Sequence, residues 1–64
     1  MDKATAQLRL DVTRRQISKI EGALADAKSI EGEDSRMYNA RIRLYESVMQ
    51  DLRKEEQEYQ QILR

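Results

Sequence analysis

The sequence has no cysteine, no histidine and no proline, only two glycines and no net charge. Each absence removes a class of protein. Without cysteine no disulfide or thiolate metal site can form, and without histidine the usual imidazole ligands are missing as well. The same gaps rule out Ser-His-Asp and Cys-His catalysis, and no glycine-rich loop exists to cradle a phosphate. No metal and no cofactor are expected. Lys and Arg number 12, Asp and Glu 12, so the whole chain has no field that would gather nucleic acid or an anionic membrane. Met1-Asp2-Lys3 leads into no apolar run of the signal-peptide kind, and nowhere do about 18 apolar residues follow one another. A soluble chain is expected, and the lack of cysteine favours the cytoplasm.

At 64 residues the chain forms one unit at most, and a chain this short buries only about 60% of its unfolded surface. The staples left to it are helix-on-helix packing and association with another chain. What it has in abundance is Ala, Gln, Glu, Lys, Arg and Leu, the composition of long helices.

From about residue 3 to residue 29, small or apolar residues recur at three-four spacing: Ala6, Leu10, Thr13, Ile17, Ile20, Leu24 and Ala27. That is a heptad seam on one helix face. Asp2 is placed as an N-cap, and Asp11 with Arg15 as an acid-before-base i,i+4 pair. Gly22, inside this helix, costs about 1 kcal/mol relative to Ala. It reads either as an outward position that tolerates glycine or as a point of close approach by another helix.

The polar stretch at about residues 30–34 divides the chain. Gly32 is placed to end one helix in the left-handed conformation, and Asp34 or Ser35 to cap the next, with Glu33 and Asp34 adding negative charge at its positive end. So short a connection favours antiparallel neighbours. From about residue 35 to residue 63 a second seam runs through Tyr38, Ile42, Tyr45, Val48 with Met49, Leu52, Tyr59, and Ile62 with Leu63. The tyrosine row reads as a stacking ladder for bases or as amphipathic core with hydroxyls at the edge; no basic groove accompanies it, which favours the core.

The expected fold is therefore all-α, a single antiparallel two-helix hairpin of coiled-coil type. Folding the chain so that facing residue numbers sum to about 65 sets small residues against large ones: Ala27 against Tyr38, Ile20 against Tyr45, Ile17 against Val48, Thr13 against Leu52, Ala6 against Tyr59. Leu10 then meets Glu55, and the run from Arg53 to Glu58 offers no apolar residue, so the end away from Gly32 is expected to pack less tightly. Arg9, Arg14, Arg15 and Lys19 fall alongside Glu46, Asp51, Glu55 and Glu56, which selects the antiparallel orientation but adds little stability.

No catalytic constellation emerges. Glu55, Glu56 and Glu58 lie on an open helix surface with no pocket to shift a carboxyl pKa, and Arg14-Arg15 and Arg41-Ile42-Arg43 are short and matched by acids. The chain is not expected to be an enzyme, nor to bind nucleic acid. The informative surplus is apolar: Leu8 and Val12 lie four apart off the first seam, and Met37 and Leu44 seven apart beside the second. One hairpin interface cannot bury them. They are read as the partner interface, toward another helical chain, against the simpler reading of incidental exposed hydrophobes.

The segment Gly32-Glu33-Asp34-Ser35-Arg36-Met37-Tyr38 has a Gly-x-Asp-x-x-x-Tyr spacing that resembles the YscE/PscE/AscE-type co-chaperones of type III secretion, with Ala23-Leu24 before it and Glu46-Ser47 after it also similar. The resemblance implies a cytoplasmic hairpin that binds and stabilises a tetratricopeptide-like, helical-repeat chaperone and with it keeps the needle subunit unpolymerised. It further implies a homodimer in isolation and no catalytic residues. Gly32, Asp34 and Tyr38 carry over only as turn, cap and core positions, and the run Arg53 to Glu58 is more polar than the resemblance implies. The alternative is a self-associating structural or regulatory hairpin, a four-helix bundle dimer of the kind used in RNA binding or phage assembly.

Overall fold

The computed structural model describes residues 1–29 and 35–64, for Ser35 the backbone alone. Two helices, α1 (Lys3–Ser29) and α2 (Ser35–Leu63), pack along one another, and no strand occurs among the described residues. The expected helix stop at Gly32 and the cap from Asp34 or Ser35, with Glu33 beside it, lie outside the described residues.

The start of α1 is set by Asp2. Its Oδ1 accepts the Thr5 N–H at 2.7 Å, a donor that the helix cannot satisfy internally, and its carbonyl accepts from Ala6 N–H at 3.0 Å as the first bond of the helix. Hydrogen bonding from the Thr5 side chain and from the Thr5 backbone holds the Asp2 carboxyl below the usual carboxylate range. At the other end Ser29 Oγ donates to the Asp26 carbonyl at 2.8 Å, and Lys28 sits in the last turn, where a cation suits the helix dipole. Within α1, Asp11 accepts from Gln7 Nε2 at 3.0 Å, a partner one turn before it rather than Arg15 one turn after. A Cβ added at Gly22 would meet nothing within 4 Å. The position is thus open, and no helix of this chain approaches it.

The two seams face each other. Ala6, Leu10, Thr13, Ile17 and Ala27 of α1 and Leu52 of α2 are buried, while Ile20, Leu24, Tyr38, Ile42, Tyr45, Val48, Met49, Tyr59 and Leu63 are half-buried around them. The tyrosines belong to this seam. Ile62 was expected in it too, but is 37% exposed, its neighbour Leu63 taking the inward position.

Two cross-helix ion pairs fix orientation and register. Arg14 Nε lies 3.3 Å from Glu56 Oε2, and Arg53 Nη2 lies 2.9 Å from Glu21 Oε1. Partner numbers fall on α2 as they rise on α1, so the helices are antiparallel. They add to 70 and 74, however, where small-against-large matching predicts 65. At about 1.5 Å per residue, the 65 register would separate Glu21 from Arg53 by about 13 Å along the axis, too far for an ion pair. α2 is displaced by between one and two and a half turns, the two pairs standing 5 and 9 residues from the predicted register. In agreement, Ile20 shares a groove with Val48 and Leu52, and Tyr59 one with Val12 and Thr13. The displacement removes the one mismatch of the predicted register by moving Leu10 from Glu55 to the level of half-buried Tyr59 and Gln60.

The expected looseness of the far end is also corrected. Ala6 is 0% and Leu10 2% exposed, the lowest values in the core, and both lie there. Small Ala6 and Thr13 let the helices come close. Glu56 lays its stem against the seam and its carboxylate on Arg14, so a polar run supplies packing through its methylenes.

Three predictions test these features. A disulfide between cysteines at Ile17 and Leu52 should form faster on oxidation than one between Ile17 and Val48; the reverse order would restore the 65 register. Gly22→Ala should stabilise the hairpin by about 1 kcal/mol, read as a rise in Tm of about 4 to 8 °C. Because the folded Asp2 carboxyl titrates below its unfolded value, its contribution is present above the unfolded pKa and is lost as pH falls through the folded one. Protection of the Thr5 amide against hydrogen exchange should fall over that acid window, and Asp2→Ala should abolish the dependence.

Candidate interaction surface

At about 100° per residue, side chains two positions apart point to nearly opposite sides of a helix. This divides the hairpin into two unlike flanks. Arg14 follows Val12 by two and precedes Gln16 by two, Glu21 follows Lys19 by two, and Arg53 stands two from both Asp51 and Glu55. Both ion pairs therefore stand on one flank, with Val12, Gln16, Lys19, Asp51 and Glu55 on the other.

The second flank is furrowed. One groove of about 270 Å³ is lined by Leu8, Arg9, Val12, Thr13, Gln16, Glu55 and Tyr59. Another of about 320 Å³ is lined by Gln16, Lys19, Ile20, Val48 and Leu52. Gln16 belongs to both, so they run on from one another along the line where α1 meets α2.

All four residues read from the sequence as the partner interface are exposed: Leu8 by 68%, Val12 by 50%, Met37 by 65% and Leu44 by 62%. The structure brings them to the same flank. Leu8 and Val12 line the first groove directly. Met37 and Leu44 stand eleven and four residues before Val48, a wall of the second groove, and such spacing keeps them on one stripe of α2. Continued by seven-residue steps, the stripe passes through Glu55 to exposed Ile62.

Val48 and Ile62 were assigned to the seam alone, and their place beside the surplus residues was missed. The signal was present in the sequence, since positions 48, 55 and 62 follow Met37 and Leu44 in one four-seven series. Two antiparallel helices turn the same side of their heptads to the same flank, so two separate apolar pairs become one surface.

The walls of the two grooves combine apolar Leu8, Val12, Ile20, Val48 and Leu52 with Thr13, Gln16 and Tyr59, and the charged Arg9, Lys19 and Glu55 do not converge on a point. Among the described residues no cluster of carboxylates is placed to hold a metal ion, and no helix is long and apolar enough to cross a membrane. Compared with known protein families, with curated proteins and with solved structures, the chain has no match.

Proposed function

We propose that this chain is a non-enzymatic, cytoplasmic helical co-chaperone whose apolar flank docks on a helical-repeat, tetratricopeptide-like chaperone. By stabilising that chaperone it would help to keep a type III secretion needle subunit unpolymerised. The observation that carries the docking is the gathering of Leu8, Val12, Met37, Leu44, Val48 and Ile62 on one flank while the cross-helix ion pairs stand on the other. The identity of the partner rests on the Gly32, Asp34 and Tyr38 spacing and its likeness to the YscE-type hairpins.

The mechanism needs no chemistry beyond burial. A stack of paired helices ends in an exposed apolar face, and a hairpin with a long apolar flank has the shape to cover it. Removing such surface from water is favourable by about 25 cal/mol per Å², before the costs of association are subtracted. The ion-paired flank would stay in solvent and keep the assembly dispersed.

Leu44→Asp, and separately Val12→Asp, should weaken capture of the chaperone by more than about tenfold, as expected for a charge placed in a desolvated centre. Both side chains are exposed in the hairpin, so circular dichroism should show unchanged helix content. Retained capture by both variants would overturn the docking assignment.

A further inference from the structure

We propose that the furrow of this flank takes a single amphipathic helix of the partner, acidic along the edge that meets α1, basic along the edge that meets α2, and carrying a hydrogen-bonding side chain where it passes Gln16. This rests on the reading above that the flank is the docking surface, and it adds the chemistry, the direction and the register of what docks there.

Shape selects one helix. The two grooves share Gln16 and follow the line between α1 and α2 from Leu8 to Ile20, about 18 Å or a little over three helical turns. A third helix laid there touches both neighbours along its length, its ridges seated between theirs. The α1 walls centre on Val12 in the first groove and close to Lys19 in the second, about two turns apart. A helix that sets one large apolar side chain in each groove therefore repeats them at heptad spacing. Gln16 stands one turn from Val12 and one from Ile20, exposed in the hairpin. Once covered, its amide needs a partner, because an unmet polar group is costly out of water. A polar residue midway between the two apolar ones meets it, and a helix slid by a turn does not.

Charge selects direction. α1 lines the furrow with the bases Arg9 and Lys19, while α2 presents Glu55, with Asp51 four before it and Glu58 three after it on the same stripe. One rim is thus basic and the other acidic over the grooved length. Past the second groove the signs change, to Asp26 on α1 and Arg41 on α2. A helix with acids on one edge and bases on the other satisfies both rims in one direction only, since turning it end for end with its apolar face kept inward exchanges the edges. Like charges then face each other along both rims, and a helix of one sign throughout meets repulsion from one rim in either direction.

The test uses synthetic, helix-stabilised peptides against the full chain, with circular dichroism as the control for folding. The first peptide carries leucines seven residues apart, a glutamine midway, glutamates along one edge and lysines along the other; the second has the edges exchanged. Both should bind by fluorescence anisotropy, and peptides with glutamate or lysine on both edges should bind about tenfold more weakly. A nitroxide at the peptide N-terminus should broaden amide signals around Leu8 with one of the two peptides and around Leu44 with the other. Reversing the rims with Arg9→Glu, Lys19→Glu, Asp51→Lys and Glu55→Lys together should swap the two ends. Replacing the central glutamine of the peptide by leucine should weaken binding to the native chain but not to Gln16→Leu. Equal binding of one-signed and two-signed peptides, a direction that edge exchange leaves unchanged, or indifference to the central residue overturns the proposal. So does failure of every peptide to bind, whether the flank stands open or a second copy holds it. Peptide binding of the expected pattern without capture of a tetratricopeptide-like chaperone removes only the co-chaperone reading. A chaperone captured equally by the native and the rim-reversed chain removes only this inference.

Discussion

Two rods laid side by side can enclose only the strip where they touch, and the rest of this molecule follows from that limit. The enclosed strip is narrow: Ala6, Leu10, Thr13, Ile17, Ala27 and Leu52 are buried, half of them small or polar. Large residues such as Tyr38, Tyr45 and Tyr59 reach it only from the side and remain half in water. With no cysteine to form a disulfide, the hairpin has this strip and the Asp2 cap of α1 to hold it, and the further apolar side chains stand outside the strip. The exposed flank is the remainder left when one interface has taken all it can hold.

The charges work at the same boundary. Arg14 with Glu56 and Arg53 with Glu21 are solvent-facing pairs, each worth about 0 to 1 kcal/mol. Their weight lies in selection. They occupy one flank, specify how far α2 slides along α1, and leave the opposite flank to apolar groups. Asymmetry between the flanks is thus written in the same few residues that determine register.

Most of the architecture could be read from the sequence because heptad spacing reports directly on which side of a helix is buried. The two helices, their antiparallel pairing and the α1 seam agree with the structure for that reason. Register was harder. Matching small residues to large ones recurs nearly as well when α2 slides by a turn, since both seams repeat every three or four residues, so the pattern has neighbouring solutions. The mismatch of Leu10 with Glu55 was the clue that the 65 solution was the wrong one. Packing at the far end was misjudged because residue type hid the methylene stem of Glu56. At the candidate surface, Leu8, Val12, Met37 and Leu44 were legible as surplus, whereas their union on one flank depends on how two helices are set together, a relation that no single stretch contains.

One apolar flank and one ion-paired flank also determine the kind of assembly open to the hairpin. A rod that is adhesive on both sides stacks without end, each addition exposing a fresh face like the last. Were adhesion confined to the side of Val12 and Leu44, as proposed above, a single neighbour would exhaust it and leave Arg14, Glu21, Arg53 and Glu56 outward. Under the docking proposed above, growth would stop at a closed unit, and the hairpin would terminate an assembly rather than extend one.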